Sequence, residues 1–408
     1  TGGQVVYILE LAQALGRQGV AVDIVTRQFA GRRPVEELGA GARIIRIPCG
    51  PDAFVIKEQL YELMPELVRN LIRYMRAEAI QYDAIHSHYW DGGYAGLLLQ
   101  RKLQVPHIFT PHSLGQWKAR DMAQAPAPSA QLAALYRYDV RIATEKKIMR
   151  AADTILMLSQ IQRIKLLRDY AVDFDKVRVL YPGVDTRIFH PGPPQRSGNR
   201  AMETPNNILL VSRFVPAKGI DSAIEAFRLL ADQVEAYLYI VTSNSSDMAS
   251  AEEVENERQI QGLIRRYGLQ ERVRFLGFVS DRSTLAEYYR RASVFLLPSR
   301  YEPFGLTSME ALASGTVALI SRAAGCRELI IDGVNGFLVD MQAPAAVATL
   351  IRQLLADKTQ AARVAENEVL TIQKHFSWDI TAQKLIRAIY PGGAGAAPPA
   401  TDVAWEVD

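Results

Sequence analysis

Arg213 and Lys218, in the run SRFVPAKG, stand five residues apart with no acid between them, just after the apolar run Ile208–Val211. Two cations so placed suit a diphosphate better than they suit each other, because both can share its oxygens. Two solvated surface charges are the plain alternative. Further along, Glu302-Pro-Phe-Gly-Leu-Thr-Ser-Met-Glu310 sets two carboxylates eight residues apart. Pro303 and Gly305 shape a loop there, and a helix then opens with N–H groups free for a second anion contact. One carboxylate can reach sugar hydroxyls while the other lies deeper along the helix. A helix cap with an exposed glutamate is the simpler alternative.

The chain opens Thr1-Gly2-Gly3-Gln4, with apolar Val5, Val6, Ile8 and Leu9 at once behind. A glycine pair at the head of a helix suits an anion, since free N–H groups and the helix dipole face it; a tight turn would use the same residues. Such a pair normally follows a strand, so a first strand is expected ahead of this numbering. His86 and His88 share one strand face at period two, as a metal pair could. No third ligand stands at a recognisable spacing, so they are expected to line a polar cleft. Asp173-Phe-Asp175 falls between a helix and a strand and reads as a turn.

These residues need a scaffold that puts them at strand ends. Strands are expected at Val20–Val25, Arg43–Ile47, Ala84–His88, His107–Thr110, Thr154–Leu158 and Val177–Leu180, with helices at Glu58–Ala79, Gly92–Leu103, Gln131–Arg150 and Gln160–Tyr170. Residues 190–207, rich in Pro, Gly and Asn, read as a linker. The alternation then restarts, with strands at Ile208–Val211, Tyr237–Val241, Val273–Leu276, Val294–Leu297, Val317–Ile320 and Phe337–Val339 and helices near 219–233, 251–267, 281–292, 344–356 and 359–374. This is the pattern of βαβ units around parallel sheets. An α/β protein of two doubly wound, Rossmann-like domains follows, with ligands beyond the carboxyl ends of the strands in a cleft that both domains face. The expected division is 1–190, 191–375, and a C-terminal helix in 376–408 that crosses back to the first domain and ends in a tail.

The 408 residues fit roughly two or three domains. With 47 basic and 44 acidic side chains the formal net charge is +3, too even for a nucleic-acid binder driven by phosphate neutralisation. No apolar run approaches the ~18 residues of a membrane span. Cys49 and Cys326 are too far apart in sequence for a disulfide framework, which fits a reducing, cytoplasmic setting.

Taken together, GGQ opening a helix, HSHYWDGGYAG, FTPHSLG, SRFVPAKG and EPFGLTSME resemble the retaining glycosyltransferases of the GT-B fold, family 4, whose signature is the glutamate, seven residues, glutamate spacing. The resemblance covers roughly residues 1–390. TPHSLGQWK, HYWDGGYAG, FVIKEQLY and VRIATE look most like the sucrose-phosphate synthases and mannosylfructose-phosphate synthases, which move a hexosyl group from a nucleotide sugar to fructose 6-phosphate.

That resemblance implies roles. Gly3 would approach the donor diphosphate, with backbone help from Gly305, Leu306 and Thr307, while Arg213 and Lys218 neutralise it. Glu302 would hold the donor hexose, Glu310 the ribose hydroxyls, and Gly277, Phe278 and Val279 would line the base pocket. The main-chain carbonyl of His112 would lie near the anomeric carbon. Gln4, Lys57, Tyr89, Ser113, Lys118 and Arg141 fit the acceptor side, Lys118 and Arg141 as phosphate ligands, with Arg137 a lesser candidate. No cofactor is required on this reading, although Mg2+ could act as an activator; two cations and helix N-termini supply the charge handling a metal otherwise would.

Two departures bear on the sugar. The chain has Ala323-Ala324-Gly325-Cys326-Arg327-Glu328 where family members usually carry a glycine pair, and Val317 where many have proline. The expected donor is UDP-glucose and the expected product sucrose 6-phosphate. GDP-mannose with a mannosylfructose phosphate product, another family 4 transfer such as one to inositol phosphate, and a non-catalytic nucleotide-sugar sensor are the alternatives.

Overall fold

Residues 207–212 read Asn-Ile-Leu-Leu-Val-Ser, and all six are buried. A strand covered on both faces needs such an unbroken apolar run. Val294–Leu297 and Ala318–Ser321 are likewise buried throughout. In the computed structural model, which describes residues 3–53, 55–56, 58–124, 136–192, 202, 204–242 and 250–389, these runs form the centre of a parallel sheet.

In chain order the strands are β1 (Val22–Arg27), β2 (Val35–Gly39), β3 (Ala42–Ile47), β4 (Ile85–His88), β5 (His107–Thr110), β6 (Thr154–Met157), β7 (Val177–Val179), β8 (Asn207–Ser212), β9 (Tyr237–Thr242), β10 (Val273–Phe278), β11 (Val294–Leu297), β12 (Ala318–Ser321) and β13 (Phe337–Val339). The chain divides into two compact units. One comprises residues 1–10, 158–165 and 181–378, the other 11–157, 166–180 and 379–408.

The first unit carries a six-stranded sheet ordered β10-β9-β8-β11-β12-β13, with every pair parallel. Counted from β8 this is the 3-2-1-4-5-6 order of a Rossmann domain, and the order reverses between β8 and β11. Helices Ile220–Ala231 and Pro344–Ala356 place Ile224, Phe227, Ile351 and Leu354 in the core on one face of the sheet.

The second unit carries two sheets. β4-β5-β6-β7 is parallel throughout, and β1-β3-β2 pairs β1 with β3 in parallel but β2 with β3 antiparallel. The antiparallel strand departs from the expected all-parallel plan. Its cause is local: Ala40 and Gly41, at φ +51° and +76°, close a two-residue hairpin between Gly39 and Ala42. Helix Leu60–Ala77 lays Met64, Leu67, Val68, Leu71 and Met75 on Ile45 and Ile47 at helical spacing.

Both domains are Rossmann-like. Most element bounds agree with expectation within two residues. Helix Gln131–Arg150 is described only from Tyr138, and Asp173 caps the short 3-10 turn Phe174–Lys176. Much of the expected linker, residues 193–201 and 203, and the tail after 389 lie outside the described residues. The last described helix is Trp378–Ile389. No described helix is long and apolar enough to cross a membrane.

Candidate active site

The reversal between β8 and β11 concentrates the first unit's chemistry. Arg213 and Lys218 follow β8, and Glu302 and Gly305 follow β11. Contrary to the reading of two cations without an acid, each meets a distant carboxylate. Lys218 Nζ donates to Glu302 Oε2, and Arg213 Nε lies 3.8 Å from Glu253 Oε1. Lys218 and Glu302 are largely buried, while the Arg213 side chain is 41% exposed.

Gly305 caps helix Leu306–Ala313 at φ +109°, a conformation that favours glycine. The helix leaves its first N–H groups without intrahelical partners, at the positions of Leu306 and Thr307. Gly3 opens helix Gly3–Arg17 beside it: a Cβ at Gly3 would stand 3.5 Å from Leu306 Cδ1. Two helix N-termini therefore meet at one point, the arrangement an anion needs. Half-buried Gln4 follows Gly3.

The loop before that helix is zipped to the unusual Ala-Ala-Gly-Cys segment. Gly325 N donates to Glu302 O and Cys326 N to Phe304 O, both at 2.9 Å. Burial pushes the Cys326 thiol up to about 12, with Ser308 Oγ 3.1 Å away, so it is packing and not a nucleophile.

Glu310 is buried, and both its oxygens are engaged. Arg282 Nη2 lies 3.3 Å from Oε1, and Tyr289 Oη donates to Oε2 at 3.1 Å. Burial raises its pKa above the usual carboxylate value. Arg282 Nε also lies 3.3 Å from Glu10 Oε1, and its guanidinium covers the Phe189 ring at 4.9 Å. Neither Arg282 nor Tyr289 was expected; DRSTLAEYY carries no spacing that announces a site. Gly277 sits at φ +71° on a bulge of β10 with open space beside it, next to Val279 and to Phe275 and Phe278, which are 38% and 37% exposed. A flat apolar shelf of this kind suits a nucleobase.

In the second unit the polar residues gather at the ends of β4 and β5. His88 Nδ1 and His112 Nε2 are 3.0 Å apart, His86 Nε2 is 2.8 Å from Thr110 Oγ1, and the rings of His86 and His88 are tilted against each other at 4.1 Å. The expected polar lining is thus a cluster of three imidazoles. Desolvation lowers His86 and His88 well below the ordinary histidine value and takes His112 to about 3, so all three are neutral at pH 7. Among the described residues no group of three or more His, Cys, Asp or Glu is arranged to hold a metal ion.

Tyr89 and His112 both have positive φ, +65° and +55°. Bulky residues held there mark a backbone that its surroundings over-determine. Arg141 is the agent. Its Nη1 donates to Tyr89 Oη at 2.9 Å, its Nη2 to Ser113 O at 2.9 Å and Ser113 Oγ at 3.2 Å, and its Nε to Glu145 Oε1 at 2.7 Å. Fully buried Glu145 also accepts from Gly115 N and Tyr170 Oη. Glu145 was not expected, because a carboxylate four residues after an arginine on a helix reads as a surface pair. Arg141, expected to bind phosphate, spends most of its donors inside the protein. Glu58, Tyr89, Trp90, Lys118, Tyr138 and Arg141 line a small recess. Arg137 pairs with Glu62 at 2.6 Å, both exposed, and Lys57 lies outside the described residues.

Comparison with known proteins places two family models along the chain. Residues 1–188 match the model of Glycosyltransferase Family 4, and residues 193–369 that of Glycosyl transferases group 1. Mannosylfructose-phosphate synthase of Agrobacterium fabrum is 32% identical over 95% of this chain and 86% of its own length. A D-inositol 3-phosphate glycosyltransferase of Xylanimonas cellulosilytica is 31% identical over 94% and 90%. Among solved structures, sucrose-phosphate synthase from Thermosynechococcus elongatus superimposes with a TM-score of 0.82 at 31% identity, covering 96% of this chain and 94% of that one. With two Rossmann-like domains and likeness along nearly its whole length, the chain belongs to the family 4 glycosyltransferases of the GT-B fold.

Proposed function

We propose that the chain is a retaining hexosyltransferase that moves glucose from UDP-glucose to fructose 6-phosphate, giving sucrose 6-phosphate in the cytoplasm. The observation that carries the acceptor is the recess in which Lys118 and Arg141 stand with one carboxylate, Glu58, among Tyr89, Trp90 and Tyr138. A cation among aromatic walls fits a sugar phosphate: rings cover the sugar face and Lys118 meets the phosphate. Likeness to a sucrose-phosphate synthase at 31% identity supports the same reading.

In the transfer, the bond from the anomeric carbon to the diphosphate breaks as the acceptor hydroxyl attacks the same face. The acceptor proton passes to the departing phosphate oxygen. Arg213, Lys218 and the helix N-termini at Gly3 and Leu306 meet the negative charge that grows on the diphosphate. Glu302 holds the hexose.

Likeness to a mannosylfructose-phosphate synthase, together with the Ala-Ala-Gly-Cys departure, favours GDP-mannose with the same acceptor as the second reading. A panel of UDP-glucose, GDP-mannose and ADP-glucose against fructose 6-phosphate, fructose and inositol 3-phosphate tests both, read as nucleotide release and product mass. Sucrose 6-phosphate from UDP-glucose is the expected result. Equal rates with fructose and fructose 6-phosphate would overturn the acceptor, and transfer to inositol 3-phosphate alone would replace it.

A further inference from the structure

Lys218 and Glu302 come from loops that cannot drift apart. Arg300 N and Tyr301 N donate to Ala217 O at 2.9 and 3.2 Å, and Arg300 Nη1 donates to Pro216 O at 2.9 Å. Gly219 lies so close to Pro298 that a Cβ would stand 2.3 Å from its carbonyl oxygen. Glu302 is fixed from its other side by Gly325 N. The lysine and the carboxylate are 19% and 14% exposed, so the attraction between their charges is less screened than in a surface pair, and a charge left there without its partner is costly.

A diphosphate oxygen that takes Lys218 competes with the Glu302 carboxylate for the ammonium. With the backbones locked, a carboxylate pushed aside stays close to the incoming phosphate oxygens and is repelled by them. A hexose attached to the diphosphate removes the penalty, because its hydroxyls donate to the displaced carboxylate. Arg213, exposed and 3.8 Å from Glu253, carries no comparable obstacle and can make the first contact.

Resting on the reading of this loop as a nucleotide-sugar site, we propose that the Lys218–Glu302 pair selects against the nucleoside diphosphate alone. The pair admits the nucleotide when it brings a hexose. It re-forms once the hexose has left, and so expels the nucleoside diphosphate product. One pair of side chains thus couples the presence of the sugar to the hold on the diphosphate.

The test is calorimetric binding to the full chain. Its probes are UDP with UDP-glucose, GDP with GDP-mannose and ADP with ADP-glucose, followed up with whichever pair the wild-type protein binds. Glu302→Gln keeps the shape and removes the charge. The expected result is about tenfold tighter binding of the nucleoside diphosphate together with weaker binding of the nucleotide sugar, one decade being a modest share of a buried pair's strength. A second measurement needs no variant: free hexose at saturation should tighten nucleoside diphosphate binding to wild type about fivefold or more, by reciprocity of the two sites. A folded Glu302→Gln protein with unchanged or weaker nucleoside diphosphate affinity overturns the inference, as does independence of the hexose and nucleotide in wild type. Those outcomes leave the transferase reading standing as long as wild type binds a nucleotide sugar. Failure to bind any of the three pairs overturns both.

Discussion

His88 Nδ1 and His112 Nε2 stand 3.0 Å apart, so one imidazole donates to the other and the accepting nitrogen carries no proton; desolvation holds both rings neutral. With His86, and with fully buried His107, which desolvation lowers to about 4, the second unit shelters four histidines in neutral form. Their folded pKa values lie below the ordinary value near 6.5, so between pH 6.5 and about 4 the unfolded chain binds protons that the folded chain refuses. Stability is intact above pH 6.5 and falls as pH drops, by about 1.4 kcal/mol per pH unit for each fully refusing histidine. Asp91, raised by burial to about 6, acts in the opposite sense between the ordinary carboxylate range and pH 6. Denaturant titrations at pH 7, 6 and 5 should show the fall. In His88→Asn the slope should be shallower by about one proton, and an unchanged slope would show that His88 is not held neutral.

Arg141 predicts a different signature. It ties Tyr89, Ser113 and Glu145 together, so it should set the His112 turn instead of only attracting a phosphate. A lysine there cannot make the same fork of bonds. Arg141→Lys should lower kcat about 100-fold, the cost of a small misplacement at a reacting centre, with little change in KM for fructose 6-phosphate. A large rise in that KM at constant kcat would restore the phosphate-ligand role. Glu145→Ala, which leaves Arg141 buried without its carboxylate, should cost about 3–5 kcal/mol of stability in chemical denaturation.

The strands and the cationic loops were legible in the amino-acid sequence because they depend on local signals: unbroken apolar runs such as Val294–Leu297, and glycines where φ must be positive, such as Gly305. What holds the site residues in place was not legible. Lys218 meets Glu302 across 84 positions, and Arg282 meets Glu10 across most of the chain. No periodicity encodes such partners; the first follows from the 3-2-1-4-5-6 strand order, which sets the loops after β8 and β11 side by side. The hairpin strand β2 escaped for another reason: Val35–Gly39 is short, carries two adjacent glutamates, and lacks the alternation that marks a half-buried strand.

Arg282 should prove to be a support for the donor site. It satisfies two largely buried carboxylates, Glu10 on the helix that Gly3 opens and Glu310 on the helix that Gly305 caps. Removing it leaves Glu310 with the Tyr289 hydroxyl and takes away a cation 3.3 Å from Glu10. Arg282→Met should therefore destabilise the protein by about 3 kcal/mol and weaken nucleotide-sugar binding, seen in thermal melts and calorimetry. Tyr289→Phe removes only a hydroxyl from Glu310 and should cost about 1 kcal/mol. Equal effects from the two changes would mean that Arg282 contributes no more to this carboxylate than the single hydrogen bond does.

The Ala-Ala-Gly-Cys segment makes the sharpest steric prediction. A Cβ on Gly325 would stand 2.0 Å from Pro303 O and 2.9 Å from Pro303 C, closer than real contacts allow, and neither is the end of a flexible side chain. Gly325→Ala must therefore push the 302–305 loop away and break the bond from Gly325 N to Glu302 O. Glu302 then loses its register with Lys218, and Gly305 its place at the head of Leu306–Ala313. Transfer should fall about 100-fold or more, since on the proposed reading the loop positions both the carboxylate that holds the hexose and the helix that meets the diphosphate. Ala324→Gly, one residue earlier, removes a single buried methyl without forcing a clash and should retain most activity. Parallel donor titrations of the two variants check the argument: comparable losses would show that mobility of the segment, and not the Pro303 contact, governs the site.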